Sequence, residues 1–179
     1  TVFVVGIFSF VYVSGFYSHN LAFLAFVCLI PFFLSIRNAG LLSAIGNGFL
    51  MGFFCIFGLI HWLFSTIIDI GGGSVLTASY TVVGLASYGA LFFVLFALIV
   101  RLFLNDRFSS NFVIILVPSL WVALEYLRAN LFSGVPWGLI GYSQANFLHL
   151  VQLADITGVY GVSWLVVLVN IALYLAIAK

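Results

Sequence analysis

The sequence predicts an all-α polytopic membrane protein with about six transmembrane helices and a cytoplasmic N-terminus. Of its 179 residues, 65% are hydrophobic and only 5% are charged, whereas an average globular domain is about 25% charged. So few charged side chains could not cover a water-exposed surface, and lipid must therefore surround most of the chain. Its apolar runs, such as LAFLAFVCLIPFFLSI, lack the alternation of barrel strands.

The apolar runs divide the chain into about six spans, because roughly 20 apolar residues are needed to cross the hydrocarbon core. The segments between the runs are rich in Gly, Asn, Asp and Ser, which is typical of turns. We therefore expect residues 1–179 to form a single transmembrane helical domain. The predicted spans are residues 1–17, 21–37, 42–68, 78–102, 111–131 and 158–178.

The basic residues predict the orientation of these spans. Alternating connections place most of them on one side, which the positive-inside rule makes cytoplasmic, together with the N-terminus. The stretch from Ser133 to Thr157 then faces the opposite side. Arg128 departs from this pattern, and we expect it to have a local partner or task. The basic residues on the cytoplasmic side are Arg37, Arg101, Arg107 and Lys179.

The fifth span carries two charges on one helical face. In WVALEYLR, Trp121, Glu125 and Arg128 are spaced by four and three residues. An isolated charge inside a bilayer is costly, and a neighbour of opposite sign offsets part of that cost. One interpretation is therefore a Glu125–Arg128 ion pair that positions the following loop. The other is a polar contact to a lipid head group or to another domain.

The loop after the fifth span has the composition of an interfacial turn. In GVPWGLIGYSQ, Pro136 fixes one backbone angle, and Trp137 and Tyr142 are residue types enriched at the head-group layer. Gln144 adds a polar group in the same stretch. We expect this loop to be the most informative part of the chain for function.

The third span combines a packing motif with a polar end. Gly48 and Gly52 are four residues apart, which allows another helix to approach closely. His61, Ser65 and Asp69 also share one face. However, a step of four residues rises about 6 Å along a straight helix, so these three do not converge as a catalytic triad does. We interpret them as the polar edge of the helix.

Other chemistry is not indicated. The net charge of +1, without basic clusters, argues against nucleic acid as a partner. Cys28 and Cys55 lack CxxC spacing, and the chain has neither metal-ligand spacing, a G-x-S-x-G motif nor a glycine-rich phosphate loop. We therefore predict no catalytic residue, metal or cofactor within this chain.

Two blocks resemble the N-terminal membrane domain of the apolipoprotein N-acyltransferase family. FLMGFFCIFGLIHWLFSTIIDIGGGS (residues 49–74) is similar to the family's third span. PSLWVALEYLRANLFSGVPWGLIGYSQ (residues 118–144) resembles the family pattern W-x-x-x-E-[WFY]-L-R, followed by G-[FV]-P-W and G-Y-[ST]-Q. The second block is the more specific one, since its charged, Pro, Trp and Gln positions agree in register.

The resemblance implies acyl transfer from a membrane phospholipid to the N-terminal diacylglyceryl-cysteine of a lipoprotein, in the bacterial inner membrane with the active side periplasmic. In the family, a following nitrilase-like domain supplies the Glu, Lys and Cys of the reaction. We therefore expect this chain to be an inactive fragment of a longer acyltransferase. The residues that the resemblance singles out for contact with substrate or catalytic domain are Glu125, Arg128, Pro136, Trp137, Tyr142 and Gln144.

Two alternatives remain open at this point. A similar membrane module anchors polyprenol-phosphate mannose synthase in some actinobacteria, and the gene sequence downstream of residue 179 would distinguish a nitrilase-like from a glycosyltransferase domain. A small transporter also fits the composition. Transporters place ionisable residues at mid-membrane, whereas Asp69, Arg128 and Asp155 lie near predicted span ends.

Overall fold

The structure, a computed structural model, describes residues 2–104, 108–132 and 134–178. Arg107, Ser133 and Lys179, which entered the orientation and loop predictions, lie outside the described residues. Throughout the described ranges the regular elements are helices. The α-helices are α1 (Val2–Tyr17), α2 (Ile30–Ile36), α3 (Leu41–Ile60), α4 (Trp62–Asp69), α5 (Val75–Phe103), α6 (Ser110–Asn130), α7 (Leu148–Val151) and α8 (Ala154–Ile177), and 3-10 helices lie at His19–Phe26 and Ile140–Gln144.

The predicted fold class is confirmed. Within the described residues, α3, α5, α6 and α8 are each long and apolar enough to cross a membrane. The first two predicted spans are shorter: α1 has 16 residues, and the second is a short apolar helical segment, Asn20–Ile36. The chain is therefore a helical multi-pass membrane protein, and the number of spans stays approximate.

The second predicted span is not one continuous α-helix. The first 3-10 helix ends at Phe26, and α2 begins at Ile30. Asn170 of α8 supplies partners for the backbone at this break: its Oδ1 accepts from Leu29 N at 2.8 Å, and its Nδ2 donates to Ala25 O at 2.7 Å. Because lipid offers no such partners, a buried amide is what allows the helix to break here.

Two other helical segments also contain breaks. The segment 42–68 forms α3 and then α4, which meet at His61. In α8, Gly158 has φ 65° and ψ −176°, which lies outside the helical region. The residues before Gly158 therefore form a separate turn, in agreement with the predicted start of the last span at residue 158.

Two basic residues mark the end of the bundle opposite the α6–α8 connection. Arg37 donates from Nη1 to Ala178 O at 3.0 Å, at the C-terminal end of α8. Arg101, in the last turn of α5, donates from Nη1 to Ala39 O at 3.2 Å. Since α8 starts beside the α6–α8 connection and ends near Arg37, these two arginines lie together at the far end of the bundle.

The closest helix packing joins α3 to α5 through the predicted glycine pair. A Cβ atom on Gly48 would lie 2.9 Å from Phe93 O, and one on Gly52 would lie 2.7 Å from Ala90 Cα. Real Cβ atoms do not approach backbone so closely, so the two helices are in contact only because these positions lack side chains. The prediction of a helix contact at Gly48 and Gly52 is thus confirmed.

We expect Gly52→Ala to lower the stability of the chain in detergent or nanodiscs by about 1–3 kcal/mol, because the added methyl group overpacks the α3–α5 contact. Gly46→Ala is the matched control, since a Cβ atom at Gly46 of the same helix meets nothing within 4 Å. Its stability should stay equal or rise slightly, as Ala favours helix over Gly. Thermal unfolding of both variants tests the contact, and equal effects would contradict it.

Candidate functional site

The candidate site is built on the α6–α8 loop, residues 131–153. Part of this loop folds into the bundle: Leu139 is 2% exposed, and Ile140 and Gln144 are 0% exposed. A buried loop needs partners for its backbone N–H and C=O groups, and inside the bundle these partners are protein groups. Polar side chains of this region supply many of these hydrogen-bond partners.

Arg128, near the end of α6, binds the loop backbone. The residue is only 2% exposed. Its Nη1 donates to Val135 O at 3.1 Å and to Trp137 O at 2.6 Å, and its Nη2 donates to Gly138 O at 3.3 Å. The hydroxyl of Tyr12 on α1 also donates to Gly138 O, at 2.9 Å. One guanidinium thus holds three carbonyls of the turn through charge-assisted hydrogen bonds.

Glu125, one turn earlier on α6, holds the next part of the loop. The residue is 4% exposed, and its Oε1 accepts from Ile140 N at 2.7 Å. The following amide, Gly141 N, donates to Ser163 Oγ on α8 at 3.0 Å. We call Glu125 and Arg128 together the loop clasp. The Arg128 guanidinium binds loop carbonyls, and the Glu125 carboxylate binds a loop amide N–H.

The loop clasp corrects one expectation from the sequence. The spacing of Glu125 and Arg128 predicted an ion pair between them, but in the part of the chain that the structure describes no such pair joins the two side chains. Their described hydrogen bonds go to the loop backbone instead. The reason is that the buried loop brings carbonyls and an amide N–H beside α6, and these backbone groups need hydrogen-bond partners.

Gln144 ties the far end of the buried stretch to another element. Its Nε2 donates to Ala22 O in the first 3-10 helix at 2.9 Å and to Ser143 Oγ at 2.8 Å. Ser143 Oγ in turn donates to Ile140 O at 2.6 Å. Gln144 therefore fixes the loop against the first 3-10 helix, and Ser143 links Gln144 to the loop backbone.

The remaining predicted residues are exposed on the same loop. Trp137 is 42% exposed and Tyr142 is 50% exposed, and Pro136 is exposed as well. The Trp137 ring meets Trp62 of α4 edge-to-face, with 6.0 Å between ring centroids. We call Pro136, Trp137 and Tyr142 the exposed loop face. Of the six predicted site residues, three thus lie on this face and three lie buried beneath it.

Glycine makes the turn possible. Gly138 has φ +76°, a conformation that other residues rarely adopt, and a Cβ atom there would lie 2.5 Å from Leu59 Cδ1. The turn can therefore bring the carbonyls of Trp137 and Gly138 against Arg128 while the Trp137 ring stays at the surface.

The polar edge of α3 and α4 shows no catalytic arrangement. His61, Ser65 and Asp69 are exposed, and no described hydrogen bond joins them to one another. Within the described residues no group of three metal-ligating side chains is present. Cys28 and Cys55 are free and 0% exposed, and a nucleophilic thiol needs a nearby base and access to substrate.

Sequence reasoning missed three buried polar residues: Tyr12 and Ser163, which bind the loop, and Asn170, which binds the break in the second predicted span. Each side chain is buried and hydrogen-bonded to the backbone of another element. The available signal was a single polar residue within an otherwise apolar run, which in a membrane helix usually has a defined partner.

Comparison with known proteins identifies similar chains. Residues 8–172 match the family described as apolipoprotein N-acyltransferase N-terminal domain. The chain is 34% identical over 160 residues to the apolipoprotein N-acyltransferase of Geobacter metallireducens, covering 89% of this chain and 30% of that protein. It is 35% identical over 144 residues to that of Pasteurella multocida, covering 78% of this chain and 26% of the relative. The chain thus spans less than a third of the length of these relatives.

We expect the variants Glu125→Leu and Arg128→Met each to lower stability by about 1–3 kcal/mol, because each leaves buried backbone groups without partners. Since the two side chains bind different groups of the loop, the double variant should be less stable than either single variant. Thermal unfolding and limited proteolysis of the loop measure the effect.

Arg101→Met serves as the control, since the one described hydrogen bond of Arg101 goes to Ala39 O. Arg101→Met should lower the stability less than Arg128→Met does. A double variant as stable as the better single variant would instead indicate that Glu125 and Arg128 act mainly on each other.

Proposed function

Because the chain belongs to the apolipoprotein N-acyltransferase family, matching its N-terminal domain, we propose that it is the membrane domain of a lipoprotein N-acyltransferase. The full protein would transfer an acyl chain from a phospholipid to the α-amino group of the N-terminal diacylglyceryl-cysteine of a lipoprotein. The family match over residues 8–172 carries this proposal. The relatives named above bear the name of that activity.

In our proposal the bond-making step belongs to a C-terminal nitrilase-like domain of the same polypeptide. Acyl transfer through an acyl-cysteine needs an accessible, activated thiolate. Both cysteines of this chain are 0% exposed among apolar side chains, so neither is suited to that role. The small share of each relative that the chain covers is also in keeping with a further domain.

The membrane domain would hold the catalytic domain beside its lipid substrates. Both substrates carry acyl chains and stay in the bilayer, so an enzyme fixed at the membrane surface meets them at high effective concentration. We assign the contact with the catalytic domain or the substrates to the exposed loop face, Pro136, Trp137 and Tyr142. Glu125, Arg128 and Gln144 would act indirectly, by holding that face in place.

The same assignment places the loop on the periplasmic side of the bacterial inner membrane. Arg37 and Arg101 lie together at the end of the bundle away from the loop. Under the positive-inside rule that end is cytoplasmic, which puts the exposed loop face on the opposite side, where lipoproteins are matured in our proposal.

A full-length protein that contains this chain should acylate a diacylated lipopeptide in the presence of phospholipid, whereas residues 1–179 alone should not. The measurement is mass spectrometry of the lipopeptide after incubation in nanodiscs, where acylation adds one fatty acyl group. Acylation by residues 1–179 alone would contradict the proposed division between the two domains. No acylation by the full-length protein would contradict the proposed activity.

In the full-length protein, Trp137→Ala and Tyr142→Ala should lower the rate of acyl transfer without lowering the melting temperature comparably, because both side chains are at the surface. The control is Tyr80→Ala, which removes an aromatic ring of α5 that is 71% exposed. Equal rates for all three variants would contradict a contact role for the exposed loop face.

A further inference from the structure

A groove lies between α2 and α3 at the end of the bundle opposite the α6–α8 loop, and we call it the α2–α3 groove. Its volume is about 610 Å³, within the usual range of ligand sites, roughly 300–1,000 Å³. The lining positions on α3 are spaced by three, one and three residues, so they share one helical face. The lining includes Leu34 of α2, Asn38 of the connection, and Ser43, Gly46, Asn47 and Leu50 of α3.

The part of the α2–α3 groove that runs along the helices is mostly apolar and open to the side. A Cβ atom at Gly46 would meet nothing within 4 Å, so no neighbouring group fills the space in front of this residue. Leu34 is 51% exposed, and Leu50 is partly exposed. Asn47 is buried, and its Nδ2 donates to Ser35 O at 3.2 Å, which fixes α3 against α2. In a membrane domain exposed aliphatic side chains face lipid, so this part of the groove is accessible to an acyl chain.

The end of the α2–α3 groove at the connection between the two helices is positively charged. Arg101 donates from Nη1 to the carbonyl oxygen of Ala39, a lining residue, at 3.2 Å. That bond uses one of the five N–H donors of the guanidinium. The acidic residues within the described ranges all belong to elements at the loop end of the bundle, namely Asp69, Glu125 and Asp155. An anion at the Arg101 end would therefore meet a cation without repulsion from these carboxylates.

The first turn of α3 adds hydrogen-bond donors at the same end. Its first intrahelical bond runs from Ala44 N to Gly40 O, so the amides of Leu41, Leu42 and Ser43 have no acceptor within the helix. Gly40, the N-cap residue, has no side chain that could bind them. Amides at a helix N-terminus favour anionic groups. They support the site that the groove and Arg101 define.

We propose that the α2–α3 groove binds one anionic phospholipid. Its phosphate accepts from Arg101, from the first amides of α3 and from the Ser43 hydroxyl, and one acyl chain lies along Leu34, Gly46 and Leu50. A soluble anion would match only the charged end, and an uncharged lipid only the apolar part, whereas an anionic phospholipid matches both. Basic side chains at the ends of transmembrane helices attract anionic head groups. The proposal concerns the membrane domain and does not depend on acyl transfer.

Native mass spectrometry of a full-length protein that contains this chain tests the proposal. The probes are phosphatidylglycerol, which has a net negative charge, and phosphatidylcholine, which has none, both with the same acyl chains. One molecule of phosphatidylglycerol should bind several-fold more tightly than phosphatidylcholine. Equal binding of the two lipids would overturn the proposal. The readout is lipid binding, so the result does not depend on whether the protein transfers acyl chains.

Gly46→Leu tests the position of the site, because the added side chain enters the space along which the acyl chain would lie. This variant should lose most of the phosphatidylglycerol binding. Gly84→Leu is the matched control, since a Cβ atom at Gly84 of α5 also meets nothing within 4 Å. It should bind the lipid as the native protein does. Equal binding by the two variants would show that the lipid lies elsewhere.

Arg101→Gln and Arg101→Lys test the charge without changing the shape of the groove, so they decide the question even where Gly46→Leu lowers the melting temperature. Arg101→Gln should weaken phosphatidylglycerol binding about fivefold, which corresponds to one lost cation near a head group. Arg101→Lys should keep most of the affinity. Equal affinity of the Gln and Lys variants would contradict the role of the charge. Millimolar inorganic phosphate should not displace the lipid, and displacement would instead indicate a site for soluble anions.

Discussion

A stretch of loop backbone lies buried among helices at one end of this bundle, and its N–H and C=O groups need partners that lipid does not supply. In a protein surrounded by lipid, irregular backbone persists only where protein groups or a water-filled cavity satisfy its hydrogen bonds. Arg128 binds three carbonyls of the turn, and Glu125 binds the amide of Ile140. Without such partners the loop would have to leave the bundle, and the exposed loop face would lose its support.

The same constraint explains how the few polar residues of an apolar chain are used. Asn170 binds the backbone where the second span breaks, and Ser163 binds Gly141 N at the start of the second 3-10 helix. In each case a polar side chain on α8 supplies a hydrogen-bond partner for backbone groups where a helix breaks or a loop begins. The long helices α6 and α8 thus act as a rigid frame for the irregular segments, which is the arrangement that a membrane domain needs to present a fixed surface.

The sequence predicted the helical membrane class, the approximate spans and a close helix contact at Gly48 and Gly52, because these follow from composition and local spacing. It also singled out Glu125, Arg128 and the loop after them. It did not predict that the loop folds inward, since that depends on partners such as Tyr12, which is 126 residues away from Gly138 along the chain. The spacing of Glu125 and Arg128 on one helix suggested that the two charges pair with each other. In the structure Arg128 instead binds carbonyls of the α6–α8 loop, and helical periodicity does not predict the position of a loop.

Residue-resolved amide hydrogen exchange of the chain in nanodiscs tests the central claim, that side chains of the helices hold the loop backbone inside the bundle. The amides of Ile140 and Gly141, which donate to Glu125 Oε1 and Ser163 Oγ, should exchange slowly, at rates near those of the interior of α6. The amide of Asn146, in an exposed part of the same loop, should exchange quickly. Exchange of Ile140 and Gly141 as fast as that of Asn146 would show that the loop is not held in this way.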